Sequence, residues 1–282
     1  MSNFQLFAVA DKGAIPLPDP LIAQVFADLY AGLALGVYSV WRTFDHNKFL
    51  HLDGHLARTH RSMAALGWDM ALDETRIRRA IHEITSSAPF PEMRVRLDVL
   101  AEPATALGTE SRVLLALQPF TPPPSQMYET GVRLDFAPRL HRDQPEVKTA
   151  AFAVERQALS GSAYEFLLLD EAGHILEGIG SNFYGVRQGA VWTAVTGVLG
   201  GITRQIILSL LPELGIPLHE APVHRDELPL LAEAAMSSSS RALIPVVEIA
   251  GQRIGDGRPG PISRRILASY QGYVQAHVRT AV

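Results

Sequence analysis

From Gln118 to Ser125 the chain reads Gln-Pro-Phe-Thr-Pro-Pro-Pro-Ser, and no other stretch limits its fold so strongly. Consecutive prolines lack backbone N–H groups and hold φ fixed, so the run excludes helix and favours a stiff, extended connection. It divides the chain into an expected small α/β domain over 1–120, a linker over 121–130 and a larger domain over 131–282.

Before the prolines, Leu52, Leu56, Thr59, Met63 and Leu66 recur at steps of four, three, four and three, which places them on one helical face. Arg58 falls off that face. Ile77, Ile81 and Ile84 follow Asp73, an acidic N-cap, and Met93 to Leu100 alternates as a strand does. Beyond the prolines, Tyr164–Asp170, Ser181–Val186, Ala190–Thr193, Ile216–Glu220 and Leu243–Ile249 read as strands between Gly-containing turns. Thr203–Leu214 reads as an amphipathic helix ending at Gly215, where a left-handed cap is easy, and a terminal helix is expected near 262–278.

Composition narrows the function. With 282 residues, 47% hydrophobic and 19% charged, the chain is long and apolar enough to bury a substantial core. A net charge of -4 gives no long-range pull toward nucleic acid or an anionic membrane, so small partners are favoured. No cysteine is present, which excludes disulfides, thiolate metal sites and thiol nucleophiles. The first residues lack the layout of a secretory signal and no apolar run reaches spanning length, so a cytoplasmic protein is expected. Only Lys12, Lys48 and Lys148 are lysines, which leaves three candidates for amine chemistry.

Lys148 sits in Val147-Lys148-Thr149-Ala150-Ala151-Phe152-Ala153-Val154. Surroundings this apolar favour the neutral amine that attacks an aldehyde to form a Schiff base, whereas taken alone the residue also reads as a strand-end lysine whose head reaches water. Gly200-Gly201-Ile202-Thr203-Arg204 opens a helix and suits a phosphate, or is an ordinary glycine loop with Thr203 as cap. Glu177-Gly178-Ile179-Gly180-Ser181-Asn182-Phe183 sets an acid ahead of a Gly-rich turn, where it either pairs with a protonated ring nitrogen or is a solvated hairpin acid. Ser237 to Ser240 reads as a tight turn offering donors to an anion, or as a plain polar loop. His51 and His55 lie four apart on a helix, but no clustered acid completes a ligand set, and no metal is expected.

A lysine, an acid after a strand, a Gly-Ile-Thr helix start and a serine turn in this order resemble the class IV aminotransferases. These fold type IV pyridoxal-phosphate enzymes include branched-chain and D-amino-acid aminotransferases, R-selective amine transaminases and aminodeoxychorismate lyases. The likeness covers nearly the whole chain after Gly36. It implies an α+β architecture, a small α/β domain plus a larger pseudobarrel domain, working as a homodimer with pyridoxal 5′-phosphate. It further implies that Lys148 forms the Schiff base, Glu177 pairs with the pyridine nitrogen, and Arg58, Ile202, Thr203, Ser239 and Ser240 hold the phosphate. Tyr38, Val40 and Trp41 lie on a strand similar to the family's substrate-facing strand, Arg96 lies on the next candidate strand, and Ser240 and Arg241 belong to a turn that can receive an α-carboxylate.

Two departures from the family pattern bear on the substrate. Branched-chain enzymes carry a tyrosine five residues after the lysine, where this chain has Ala153. D-amino-acid enzymes carry an Arg-Gly pair where it reads Asp98-Val99-Leu100-Ala101. The expected activity is transamination between an amino acid, apolar and branched-chain-like, and a 2-keto acid. D-amino-acid or R-amine transamination, aminodeoxychorismate lyase activity and a catalytically silent relative of the fold are the alternatives.

Overall fold

The computed structural model describes residues 4–18, 33–138, 140–159 and 161–282. Its elements begin with β1 (Gln5–Ala10), β2 (Gly13–Pro16), β3 (Val37–Arg42), β4 (Lys48–Leu50), α1 (Leu52–Ala65), α2 (Glu74–Ser87), β5 (Met93–Val99) and β6 (Val113–Pro119). There follow α3 (Ser125–Thr130), β7 (Val132–Phe136), α4 (Ala150–Glu155), β8 (Glu165–Leu169), β9 (His174–Gly178), β10 (Ser181–Arg187) and β11 (Ala190–Trp192). The chain ends with α5 (Ile202–Leu210), β12 (Leu218–His219), β13 (Val223–His224), β14 (Glu233–Ser238), β15 (Ala242–Ile249), β16 (Gln252–Arg253), α6 (Pro261–His277) and β17 (Val278–Thr280).

Two compact units result. One comprises Met1–Thr121, Val147–Gln157 and His277–Val282, the other Pro122–Glu146 and Ala158–Ala276. The lysine segment groups with the first unit because it runs along β3: Tyr38 N–H donates to Lys148 O at 3.0 Å and Ala150 N–H to Gly36 O at 2.8 Å.

The first unit is built on a five-stranded sheet in the order β2-β1-β6-β5-β3, antiparallel throughout. Strand alternation sorts its side chains. Val37 and Trp41 of β3 and Val95, Leu97 and Val99 of β5 join a core with Leu56 and Met63 of α1 and Ile77, Ile81 and Ile84 of α2. Ser39 shares that face, whereas Tyr38 and Val40 alternate to the other, opposite Asp98 and Arg96 in register. Trp41 therefore serves the helix-covered core and not the surface that Tyr38 and Val40 share. Truncating the fully buried Leu56 to Ala would cost about 2–5 kcal/mol.

The α1 periodicity holds, but its buried side is wider than the apolar residues alone suggest: His55, Arg58 and Ser62 are buried as well. Arg58 is thus an interior arginine, and the reason is the polar Ser39 that the sheet presents to it. His51 is the N-cap of α1 with φ of 50°, so it does not extend the helical face of His55. Asp73 caps α2 as expected, accepting from Arg76 N–H at 2.9 Å.

In the second unit the strands run β12-β11-β10-β14-β15-β7-β8-β9-β13, with β16 beside β15. A further pairing of β9 with β10 closes six of them, β7, β8, β9, β10, β14 and β15, into a ring. Closure removes exposed strand edges and encloses a core that includes Leu134, Leu167, Ile175, Phe183, Met236 and Ile244. The helix expected to reach Leu214 stops at Leu210, because Pro212 has no N–H to continue it; Gly215 then turns the chain with φ of +63°. Of the serine run, Ser237 and Ser238 belong to β14, and the turn begins at Ser239.

Candidate active site

Lys148 stands immediately before α4, whose N-cap is Thr149. Its backbone N–H donates to Ser62 Oγ at 3.3 Å, and its Nζ lies 4.8 Å from the centre of the Tyr38 ring. The same ring carries the Arg96 guanidinium at 4.0 Å. Arg96 is only 3% exposed, and its Nε and Nη2 both donate to Asp98 at 3.0 Å. A fork-on-carboxylate pair of this kind neutralises the arginine on its own strand. Asp98 was not singled out in the sequence, although its spacing of two from Arg96 places both on one strand face.

On the helix-covered face, Arg58 Nη2 donates to Ser39 Oγ at 2.7 Å, and Ser39 Oγ lies 3.0 Å from His55 Nδ1. Burial, then Arg58, Lys148 and His51, push the His55 pKa well below the ordinary histidine range. Ser39 is not among the residues that the sequence reading singles out, and His55 enters it only as a candidate metal ligand. The i, i+3 spacing of His55 and Arg58 was the available signal.

In the second unit Glu177, 2% exposed, is surrounded by donors. Its Oε2 accepts from Leu199 N–H at 3.0 Å and Asn182 Nδ2 at 3.2 Å, and Arg142 Nη1 lies 3.5 Å from Oε1. Asn182 also donates to Leu199 O at 2.9 Å, so it ties the acid to the loop ahead of α5. The hairpin sets this up by pairing Asn182 with Glu177 across the turn at Ile179 and Gly180. A two-residue turn read from the sequence would have found Asn182.

Helix α5 begins at Ile202 and Thr203, both buried, with Gly201 as an N-cap that offers no side-chain hydrogen bond. First-turn amides of a helix have no partner within it, so an anion fits this end. Glu165 braces the neighbouring loops: it accepts from Gly180 N–H and Ser181 Oγ, each at 2.8 Å, and pairs with Arg241. Arg241 also donates to Ser238 Oγ at 2.9 Å and Gly180 O at 3.2 Å, and its backbone N–H closes the serine turn on Ser238 O at 3.1 Å. Burial works to lower the Arg241 pKa, but Glu165 and Tyr164 more than offset it and raise it. Arg241 therefore holds the turn in shape, with Ser239 and Ser240 at its half-buried tip.

Among the described residues, no group of three His, Cys, Asp or Glu could hold a metal ion, and no helix is long and apolar enough to cross a membrane. Taken unit by unit, the groups are of kinds that suit a phosphorylated aldehyde: in the first, an interior arginine and an amine near an aromatic ring; in the second, a helix start with uncapped amides and a hydroxyl, and an acid gripped by donors.

A mixed α/β unit and a second unit with a closed strand ring, carrying these groups, define a fold type IV enzyme. The crystal structure of the T.th. branched-chain amino acid aminotransferase with pyridoxamine 5′-phosphate superimposes with a TM-score of 0.80 at 20% identity, over 99% of this chain and 98% of that one. The family description for amino-transferases of class IV matches residues 36–249. The chain belongs to the class IV aminotransferases. The D-alanine aminotransferase of Bacillus licheniformis is 28% identical over 258 residues, 88% of this chain and 90% of that protein. A branched-chain-amino-acid aminotransferase of Pseudomonas aeruginosa is 36% identical over 127 residues, which span 43% of this chain and 41% of that protein.

Proposed function

We propose that the chain is a pyridoxal 5′-phosphate-dependent transaminase that moves an amino group between an apolar α-amino acid, branched-chain favoured, and a 2-keto acid. The placement of Lys148 carries this reading. Lys12 is exposed, and Lys48 pairs with Asp45 at 3.0 Å on the surface. Lys48 and Lys148 are both half-buried, but the Lys48 ammonium is taken up by Asp45, whereas Lys148 Nζ stands against the Tyr38 ring.

When bound, the cofactor supplies an electrophilic aldehyde carbon and an electron sink. Lys148 Nζ would be the amine that holds the group at that carbon, the aldehyde oxygen leaving as water, and once free it would be the base that moves the proton of the substrate α-carbon. Glu177 would hold the proton on the pyridine nitrogen through a charge-assisted hydrogen bond. Arg58, Ile202, Thr203, Ser239 and Ser240 would bind the phosphate and so fix the ring's orientation. Tyr38 and Val40 would face the substrate side chain, while Asp98 keeps the Arg96 charge engaged beside them. Ser240 and the turn that Arg241 braces would receive the α-carboxylate. The protein would work as a homodimer in the cytoplasm.

D-amino acids are the second reading, supported by the likeness to the D-alanine enzyme over most of the chain. A visible absorption band lost on borohydride reduction, with the cofactor's mass added at Lys148, is expected; addition elsewhere would sink the assignment. Assays of L-leucine, D-alanine, D-glutamate and R-phenylethylamine with 2-oxoglutarate or pyruvate decide the substrate. Activity confined to the D-acids or the amine would refute the branched-chain choice and leave the lysine chemistry standing. Pyruvate release from aminodeoxychorismate without an acceptor would mark a lyase.

A further inference from the structure

Ser39, His55 and Arg58 form a buried chain whose proton order follows from donor chemistry. Arginine carries donors only, so Arg58 Nη2, at 2.7 Å, donates to Ser39 Oγ. Ser39 has one proton of its own, and His55 Nδ1 lies 3.0 Å from its oxygen. Arg58 Nη2 also stands 3.4 Å from that Nδ1, so a proton on Nδ1 would confront a donor. Nδ1 must accept, Ser39 O–H must donate to it, and the imidazole carries its proton on Nε2.

We propose that His55 and Ser39 are positioning residues, a neutral imidazole and a hydroxyl that hold the Arg58 guanidinium in the orientation that meets the cofactor phosphate. The proposal rests on the reading of Arg58 as the phosphate arginine. Core packing against Trp41, whose ring centre is 5.2 Å from that of His55, accounts for the burial of the histidine but not for this polar order. The electrostatics agree with it: the charged or titratable groups acting on His55 are Arg58 of α1, His51 at its N-cap and Lys148 of the β3-edge segment, and together with burial they disfavour imidazolium. Imidazolium would offer no acceptor to Ser39. Its Nδ1–H would instead compete with the Arg58 guanidinium for the Ser39 oxygen.

The test compares two ligands on the full-length chain stripped of cofactor, pyridoxal 5′-phosphate and pyridoxal, titrated by absorbance. Ser39→Ala and His55→Ala should each weaken pyridoxal 5′-phosphate about tenfold, the worth of one buried hydrogen bond in a chain. Both should leave pyridoxal within about twofold of the parent, and the double variant should be no weaker than either single one, because both break the same chain. His55→Asn places an amide oxygen near the Nδ1 position and should restore most of the affinity. Two-bond proton–nitrogen spectra of the parent should show His55 as the Nε2–H tautomer at neutral pH. An Nδ1–H tautomer or imidazolium there overturns the proposal even where an alanine variant fails to fold. Arg58→Ala separates the two levels of inference. If it weakens both ligands alike, Arg58 does not meet the phosphate and both readings fall; if it discriminates the ligands while Ser39→Ala and His55→Ala do not, the positioning proposal alone is overturned.

Discussion

Replacing Glu177 with Gln tests the assignment of the acid with almost no change in shape. The carboxylate is surrounded by donors: Leu199 N–H at 3.0 Å and Asn182 Nδ2 at 3.2 Å on Oε2, and Arg142 Nη1 at 3.5 Å from Oε1. A glutamine brings one acceptor and one donor, so its NH₂ group must face a donor whichever way the amide is turned. That mismatch should lower stability by about 1–3 kcal/mol. On the proposed role, the part lost in the reaction would be a charge-assisted hydrogen bond to the protonated ring nitrogen. Such bonds are worth about 1.5–3 kcal/mol, so the half-reaction should slow about 10- to 150-fold. Rapid mixing of the loaded variant with saturating amino donor, followed through the cofactor absorbance, reads this step without product release. Cofactor should remain bound, since the phosphate contacts proposed for it involve other residues. A single-turnover rate within about twofold of the parent, in a variant whose melting temperature has fallen, would remove Glu177 from the role, because the substitution would have been felt and the chemistry not.

Lys148→Ala should abolish turnover in the amino-acid assay, and near-normal transamination would end the lysine mechanism. Gly201→Ala should slow the same half-reaction by a smaller factor than Glu177→Gln and destabilise by about 1–3 kcal/mol. The backbone there, φ of −66°, accepts alanine, but the added Cβ would overlap Asn182 Oδ1 and displace the side chain that grips Glu177. A wild-type rate with a wild-type melt would show that the loop simply gives way. His55 predicts a pH dependence: its folded pKa lies well below the unfolded value of 6.5, so the unfolded chain binds the extra proton first as pH falls. The stability this neutral histidine contributes is complete above 6.5 and is lost below it, at up to roughly 1.4 kcal/mol per pH unit until the folded pKa is reached. Melting curves from pH 7 to 5 should therefore fall more steeply for the parent than for His55→Asn, and parallel curves would contradict a buried neutral imidazole.

Local patterns in the sequence determined the elements and the chemistry they carry. The periodicity of Leu56 and Met63, the Asp73 cap and the alternation of β5 each depend on residues a few positions apart, where backbone geometry alone dictates the outcome. The scarcity of lysine likewise isolated Lys148, and the order of its motif with Glu177, Thr203 and Ser239 placed the chain in its family. Only the tertiary structure decided what lies next to what. It laid the lysine segment along β3, closed the barrel through β9 and β10, set Asp98 against Arg96, and turned Arg58 from an apparent off-face charge into the end of a buried chain with Ser39 and His55. The physical reason is range. Hydrophobic periodicity states which side of an element is buried, but an interior polar side chain is tolerated only where a partner from a distant segment satisfies it, and those partners meet only on folding. Ser39 and Arg58 are 19 residues apart in sequence and 2.7 Å apart in space.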